Sequence, residues 1–143
     1  MKYNIRKKAW TSLGSLLQER ERHRCFFHRG NVVVTGGYCE GYLKSTEMIN
    51  ISNGKSRKVG DLNVERHSHG IGIAHINGKS KLIVFGGYHG EFFLNSIEEW
   101  DDETETWSIS TMKLSEAKSE FGYCQVPQIW LLHFMKLHKW IHK

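Results

Sequence analysis

The sequence predicts an all-β protein built from repeated units of four short antiparallel strands. One observation is an internal repeat with a period of about 50 residues. A second is that short apolar or alternating stretches are separated by turn residues such as Asn53-Gly54 and Asn77-Gly78. Helical spacing of apolar residues is absent before the C-terminal tail. Together these observations favour many strands and turns.

The repeat aligns residues 32–38, VVVTGGY, with residues 82–88, LIVFGGY. With Phe92 as a single inserted residue, Tyr42 aligns with Phe93 further along the chain. The predicted strands are residues 31–37, 46–51 and about 58–62 in the first unit, and residues 69–76, 81–87, 97–101 and 107–112 in the second. Four short strands in about 50 residues are typical of one β-propeller blade.

Two further marks recur in the sequence. A double glycine follows a hydrophobic run at Gly36-Gly37 and again at Gly86-Gly87. An aromatic residue is followed seven positions later by Trp, in Tyr3/Trp10 and in Trp100/Trp107. With these marks, residues 1 to about 126 resemble the kelch-repeat family. The resemblance implies a partial kelch β-propeller with about two complete blades plus half blades.

The first complete repeat departs from the kelch pattern. Arg57 and Ile49 stand where Trp and Tyr are expected, and Glu116 stands where the inter-blade Arg is expected after the second repeat. Within the pattern, paired glycines suit positive φ and close packing of backbones. We expect Trp107 to fill the gap between its own blade and the next. Arg66 offers five donors that could bridge neighbouring strands.

The chain divides into a kelch-repeat region at residues 1–126 and a tail at residues 127–143. We expect blades at about residues 22–62 and 67–112, the outer half of a blade at residues 3–14, and the first strand of another at residues 117–126. The tail reads equally as a basic amphipathic helix, a degenerate strand, or an out-of-frame or truncated end. The resemblance implies that the chain is a piece of a longer protein, or that it self-associates to cover open blades.

Charge and cysteine content exclude several classes of function. The net charge of +5 is split, because residues 1–30 are basic whereas residues 91–107 hold seven acids and no Lys or Arg. A continuous basic surface for nucleic acid is therefore not expected. Three cysteines without a C-x-x-C pair indicate reduced thiols in the cytoplasm. No apolar run is long enough to span a membrane.

Catalytic and metal-binding patterns are weak. His67 and His69 could share one face of a strand, but no third ligand accompanies them. The acidic stretch at residues 101–105 lacks the glycine and terminal Glu of a calcium loop, so we expect a solvated turn. No nucleophile–base order or phosphate-binding loop appears. We therefore predict no enzyme activity, no metal and no cofactor.

The predicted function is recognition of a protein or peptide partner. In the blade topology, the loops after each double glycine and the inter-blade linkers emerge at the same end. The candidate partner-binding residues at that end are Tyr42, Lys44, Glu65, Arg66, His89, Glu91 and Phe92. A mixture of aromatic residues and both charge signs suits a protein surface. The alternative is that Tyr42, Phe93 and Leu94 pack inward, which leaves Phe92 as the better exposed candidate.

The kelch resemblance implies two finer roles, substrate capture for a cullin-type ubiquitin ligase and actin binding. These 143 residues hold no BTB or BACK domain, so the first role is an analogy. Two other interpretations stay open, namely a non-functional gene fragment and part of a kelch-like enzyme.

Overall fold

A computed structural model describes residues 1–123, and the described part is all-β, as predicted. Its strands are β1 (Lys2–Asn4), β2 (Ala9–Thr11), β3 (Arg24–His28), β4 (Asn31–Tyr38), β5 (Tyr42–Asn50), β6 (Ser56–Lys58), β7 (Gly70–Ile76), β8 (Lys79–Phe85), β9 (Tyr88–His89), β10 (Phe92–Phe93), β11 (Ser96–Asp101) and β12 (Thr106–Lys113). Within these residues, no helix has the length and apolarity needed to cross a membrane. The interpretations of residues 127–143 lie outside the described part.

Two four-stranded antiparallel sheets form the body of the molecule. Blade 1 has the strand order β3-β4-β5-β6, and blade 2 has the order β7-β8-β11-β12. Each blade is thus a meander of the predicted kind, with its first strand at one edge and its last strand at the other. Strands β9 and β10 add a small hairpin between β8 and β11. No strand forms over residues 114–123, so the described part of the fourth predicted unit has none.

The outer half-blade expected near the N-terminus forms a hairpin. Strands β1 and β2 pair antiparallel, with Tyr3 directly opposite Trp10 and their ring centroids 5.1 Å apart. Trp100 and Trp107 face each other in the same way in blade 2, also at 5.1 Å. The seven-residue spacing therefore corresponds to a cross-strand aromatic pair around a tight turn.

The fourth strand of blade 1 begins earlier than the sequence predicted. A compact turn in which the Asn50 side chain accepts hydrogen bonds from the backbone N–H groups of Ser52 and Asn53 returns the chain at once to β5. The strand therefore starts at Ser56, which lies opposite Ile49. Ser56, and not Arg57, thus stands at the Trp position of this repeat.

The hydrophobic core lies between the two blades. Its buried members are Val33, Met48, Leu62, Ile71, Leu82, Val84, Trp100 and Trp107. The indole Nε1 of Trp107 donates a hydrogen bond to Thr46 Oγ1 of blade 1 at 3.1 Å. The expectation that Trp107 packs toward the following blade was wrong, because the face of β12 that carries it is turned toward the preceding one.

Ion pairs join the blades at the end away from the double glycines. Asp102, in the turn between β11 and β12, contacts His28 at 2.7 Å and Arg29 at 3.2 Å. Glu105 of the same turn pairs with Arg57 of blade 1. The acidic turn is therefore an inter-blade contact and not simply a solvated loop. We call this end the turn rim.

Candidate functional site

The loops after the double glycines and the inter-blade linkers lie together at the other end of the blades. This loop rim consists of the linkers 18–22, 65–68 and 115–120 and the loops 38–44 and 88–95. The Gly37 N–H donates to the Arg66 carbonyl at 2.9 Å, and the Gly87 N–H donates to the Lys118 carbonyl at 2.8 Å. Each double glycine is thus hydrogen-bonded to the linker that leaves its own blade.

The double glycines are required by close approach as well as by backbone conformation. Gly36 has a φ of 57°, and a Cβ built on it would lie 2.2 Å from the Arg66 carbonyl oxygen. Gly87 has a φ of 103°, and its Cβ would lie 2.8 Å from the His67 carbonyl oxygen. Neither separation is tolerable for a side-chain carbon, so only glycine lets the linker pass here.

Arg66 was expected at the exposed surface, and the structure corrects this. Its side chain is fully buried and pairs with the equally buried Glu98 at 2.9 Å. It also donates hydrogen bonds to the Gly86 carbonyl and to the Ser96 hydroxyl. A guanidinium is held inside only where carboxylate and carbonyl acceptors replace water. Arg66 therefore ties the linker to its blade, as its donor count suggested, and does not reach a partner.

The preceding linker contains an equivalent arginine that sequence reasoning missed. Arg20 donates to the Gly36 carbonyl, to Ser45 and to Glu47, the last at 2.6 Å. The signal was present in the sequence, because the dipeptide Glu-Arg occurs in both linkers, as Glu19-Arg20 and Glu65-Arg66.

In the third linker, Lys118 and not Glu116 stands at the arginine position. The Lys118 N–H donates to the Leu94 carbonyl, just as the Arg66 N–H donates to the Leu43 carbonyl. The sequence alignment missed this because it held the period constant, whereas the second unit is longer.

Tyr42 joins the two loops at the centre of the rim. Its ring stacks on His67 with an interplanar angle of 10° and a centroid distance of 5.6 Å. Its hydroxyl donates to the Gly90 carbonyl at 3.1 Å. Tyr38 and Tyr88 also contact the His67 ring. Burial lowers the pKa of His67, which favours a neutral imidazole within this aromatic cluster.

Phe92 and Phe93 are the most exposed aromatic residues of the rim, at 69% and 59%. The small hairpin of β9 and β10 lifts them away from the blade, although Phe93 keeps a ring contact with Tyr88 at 5.4 Å. Of the residues expected to pack inward, Tyr42 and Leu94 are half-buried, whereas Phe93 is exposed. That expectation was therefore wrong for Phe93.

The remaining candidate residues are charged and reach the surface. Glu65 lies 3.6 Å from His89, and both side chains are about two-fifths exposed. Lys44 and Glu91 are exposed and form no ion pair with any described residue. The rim thus combines protruding aromatic rings with solvated charges.

The described part of the chain contains no group of three His, Cys, Asp or Glu residues that could hold a metal ion. His67 and His69 have separate surroundings, since His69 is buried and its Nε2 contacts Thr35 Oγ1 at 2.7 Å. Cys25 and Cys39 are free thiols.

Comparison with known proteins gives a consistent picture. A family model described as Kelch motif matches residues 70–111, which run from the start of β7 into β12. Beta-scruin of Limulus polyphemus is 24% identical over 115 residues, which cover 74% of this chain and 12% of that protein. Alpha-scruin of the same organism is 25% identical over 142 residues, which cover 91% of this chain and 15% of that protein.

The chain spans only a small fraction of these relatives, so the similarity concerns the repeat unit and not a whole protein. The kelch motif coincides with blade 2, and the described part of the chain contains a second blade of the same topology. The kelch motif suggests a protein-interaction module. The chain thus carries a kelch motif in blade 2 and is similar to kelch-repeat proteins.

Proposed function

We propose that this chain binds a partner protein or peptide through its loop rim. The observation that carries the proposal is the exposed pair Phe92 and Phe93 beside the half-buried Tyr42. Large aromatic side chains that stay exposed on a protein surface are frequent anchors of interfaces. Loops presented by a rigid scaffold are also the usual place for recognition.

The support beneath these loops is rigid. Tyr42 bridges from blade 1 to the Gly90 carbonyl of blade 2, and Arg66 fixes the linker between the blades. A surface that is already ordered loses less conformational entropy when a partner binds. The rim is therefore suited to binding with little rearrangement.

The finer role follows from the kelch resemblance and belongs to the same proposal. Actin filaments and substrates of a cullin-type ubiquitin ligase are both protein surfaces, and either would meet the rim in the same way. We place this activity in the cytoplasm, in keeping with the free thiols of Cys25 and Cys39.

The experiment compares a rim variant with a matched control. Phe92→Ala/Phe93→Ala removes the exposed rings, and Phe27→Ala removes a ring of equal exposure, 59%, that lies toward the turn rim of blade 1. Cosedimentation with actin filaments tests one partner class, and affinity capture followed by reconstitution with the purified partner tests others. We expect the rim variant to abolish binding and the control to retain it, with unchanged circular dichroism in both.

Two results would contradict the proposal. One is equal binding by the rim variant and the wild type. The other is binding that survives the rim changes and disappears when residues 128–143 are deleted, because the tail would then be the interaction site.

A further inference from the structure

The charge of the loop rim is opposite in sign to that of the whole chain. The chain has a net charge of +5. On the linkers and loops of this rim, however, seven carboxylates are exposed or half-exposed against three solvent-exposed Lys or Arg side chains. These carboxylates belong to Glu19, Glu21, Glu40, Glu65, Glu91, Glu116 and Glu120, and the cations to Arg22, Lys44 and Lys118. Arg20 and Arg66 add no surface charge, because both are buried against carboxylates.

Four of the rim carboxylates form no ion pair with any of residues 1–123. Glu19, Glu40, Glu91 and Glu120 take part in none of the ion pairs of the described structure. The turn rim is different, because Asp102 and Glu105 pair there with basic side chains of blade 1. At the loop rim, unpaired carboxylates thus stand in the same loops as the aromatic residues Tyr42 and Phe92.

Each loop places a carboxylate beside an aromatic ring. Glu40 precedes Tyr42 by two residues, and Glu91 directly precedes Phe92. Next to the first loop lies an open cleft of about 400 Å³, lined by Glu19, Glu21, Tyr38, Glu40 and their neighbours. A ring face attracts a cation, a carboxylate accepts its hydrogen bonds, and the aliphatic stem of Lys or Arg covers apolar surface.

We propose that the partner segment held at the loop rim is cationic, with Lys or Arg side chains next to apolar ones. This inference rests on the proposed function and adds the chemistry of the partner. The cationic groups would lie against Glu40 and Glu91, and the apolar groups would lie against Phe92 and Phe93. An acidic peptide or a phosphate backbone would meet repulsion at the same carboxylates.

The test is selection of short random peptides displayed against the full 143-residue chain. We expect the selected peptides to be enriched in Lys or Arg beside apolar residues. Their affinity, measured by fluorescence anisotropy, should weaken as the salt concentration rises. Selection of peptides rich in Asp and Glu, or of peptides with no charge bias, would overturn the proposal.

Charge reversal supplies the matched comparison. Glu40→Lys/Glu91→Lys should weaken binding of the selected peptide on the order of tenfold. Glu103→Lys should change it by less than about twofold, because this exposed carboxylate also lacks an ion pair but lies on the turn rim. Equal effects of the two variants would contradict the assignment of the cationic groups to the loop rim.

The Phe92→Ala/Phe93→Ala variant separates this inference from the proposed function. If this variant loses the peptide but charge reversal has no effect, the rim binds partners and its charge preference is wrong. If neither variant affects binding, the loop rim is not the binding surface and both proposals fail. Concentration-dependent dimerisation that charge reversal abolishes would assign the rim to a second copy of the chain and overturn the inference.

Discussion

Arg66 and Glu98 form an ion pair of 2.9 Å in which both side chains are completely removed from solvent. Arg20 and Glu47 form the same pair one blade earlier, at 2.6 Å. In each case the arginine belongs to the incoming linker and the glutamate to the third strand of the blade. The pair therefore fixes where the chain enters each blade, and hence where the rim loops stand.

Removing one member of the buried pair should be strongly destabilising. Arg66→Ala leaves the Glu98 carboxylate buried without a counter-charge, so we expect a loss of about 3–5 kcal/mol in the free energy of unfolding. Arg57→Ala is the control, because its pair with Glu105 is about half exposed and should contribute roughly 0–1 kcal/mol. Urea denaturation followed by tryptophan fluorescence measures both. Similar losses in the two variants would mean that Arg66 is not buried in solution.

Trp107 should be a structural residue. Its side chain is 5% exposed and joins blade 2 to Thr46 of blade 1. We expect Trp107→Ala to cost roughly 3–5 kcal/mol. Trp107→Phe keeps most of the apolar contact but leaves the Thr46 hydroxyl without its donor, so a smaller loss of about 1 kcal/mol is expected. A loss below about 1 kcal/mol for the alanine variant would show that the blades do not pack through this residue.

Gly36 should not tolerate a side chain, whereas Gly78 should. Both have positive φ, of 57° and 74°, so alanine strains the backbone similarly at the two sites. Only at Gly36 would the new Cβ meet the Arg66 carbonyl, while the space around Gly78 is open. We expect Gly78→Ala to cost about 1 kcal/mol and Gly36→Ala to cost clearly more. Thermal denaturation of the two variants measures these losses. Equal decreases in Tm would argue against the close approach between Gly36 and the Arg66 carbonyl.

Acid should destabilise the fold through His69. Burial, helped by the charge of Arg66, holds the pKa of His69 well below its ordinary value of 6.5. Below pH 6.5 the unfolded chain takes up a proton that the folded chain refuses, so stability decreases as the pH falls toward the folded-state pKa. Burial lowers the pKa of His23 and His67 in the same direction.

The measurement is the free energy of unfolding between pH 7 and pH 5 for the wild type, for His69→Gln and for His75→Gln, an exposed control. We expect His69→Gln to reduce the slope of the free energy of unfolding against pH by up to about 1.4 kcal/mol per pH unit. The control should keep the wild-type slope. Identical slopes in all three proteins would mean that His69 does not contribute to the destabilisation by acid.

Several features could be predicted from the sequence because they depend on neighbours along the chain. The alternation of short apolar runs and turn residues indicated the strands of each blade, and the seven-residue spacing indicated the pair Trp100/Trp107. The double glycines indicated a backbone with positive φ, which glycine adopts more readily than other residues. Their φ values of 57° at Gly36 and 64° at Gly86 agree with that interpretation.

Other features depended on loop lengths that a fixed period hides. Lys118 and not Glu116 is the structural equivalent of Arg66, a separation of 52 residues instead of 50. The insertion at Phe92 accounts for one of the two extra residues. Because the turn after Asn50 is tight, β6 begins earlier in the chain than predicted, and Ser56, not Arg57, lies opposite Ile49. An alignment of the two units at a constant spacing cannot detect such differences in loop length.

The sequence alone determined that this protein is built from four-stranded antiparallel blades, because turn chemistry and alternation are local properties. Only the tertiary structure decided which charged residues reach solvent. Arg66 and Glu65 are adjacent in the linker, yet Arg66 is buried and Glu65 is half-exposed. The difference arises because acceptors from Gly86, Ser96 and Glu98, distant in sequence, converge on the guanidinium and replace its water.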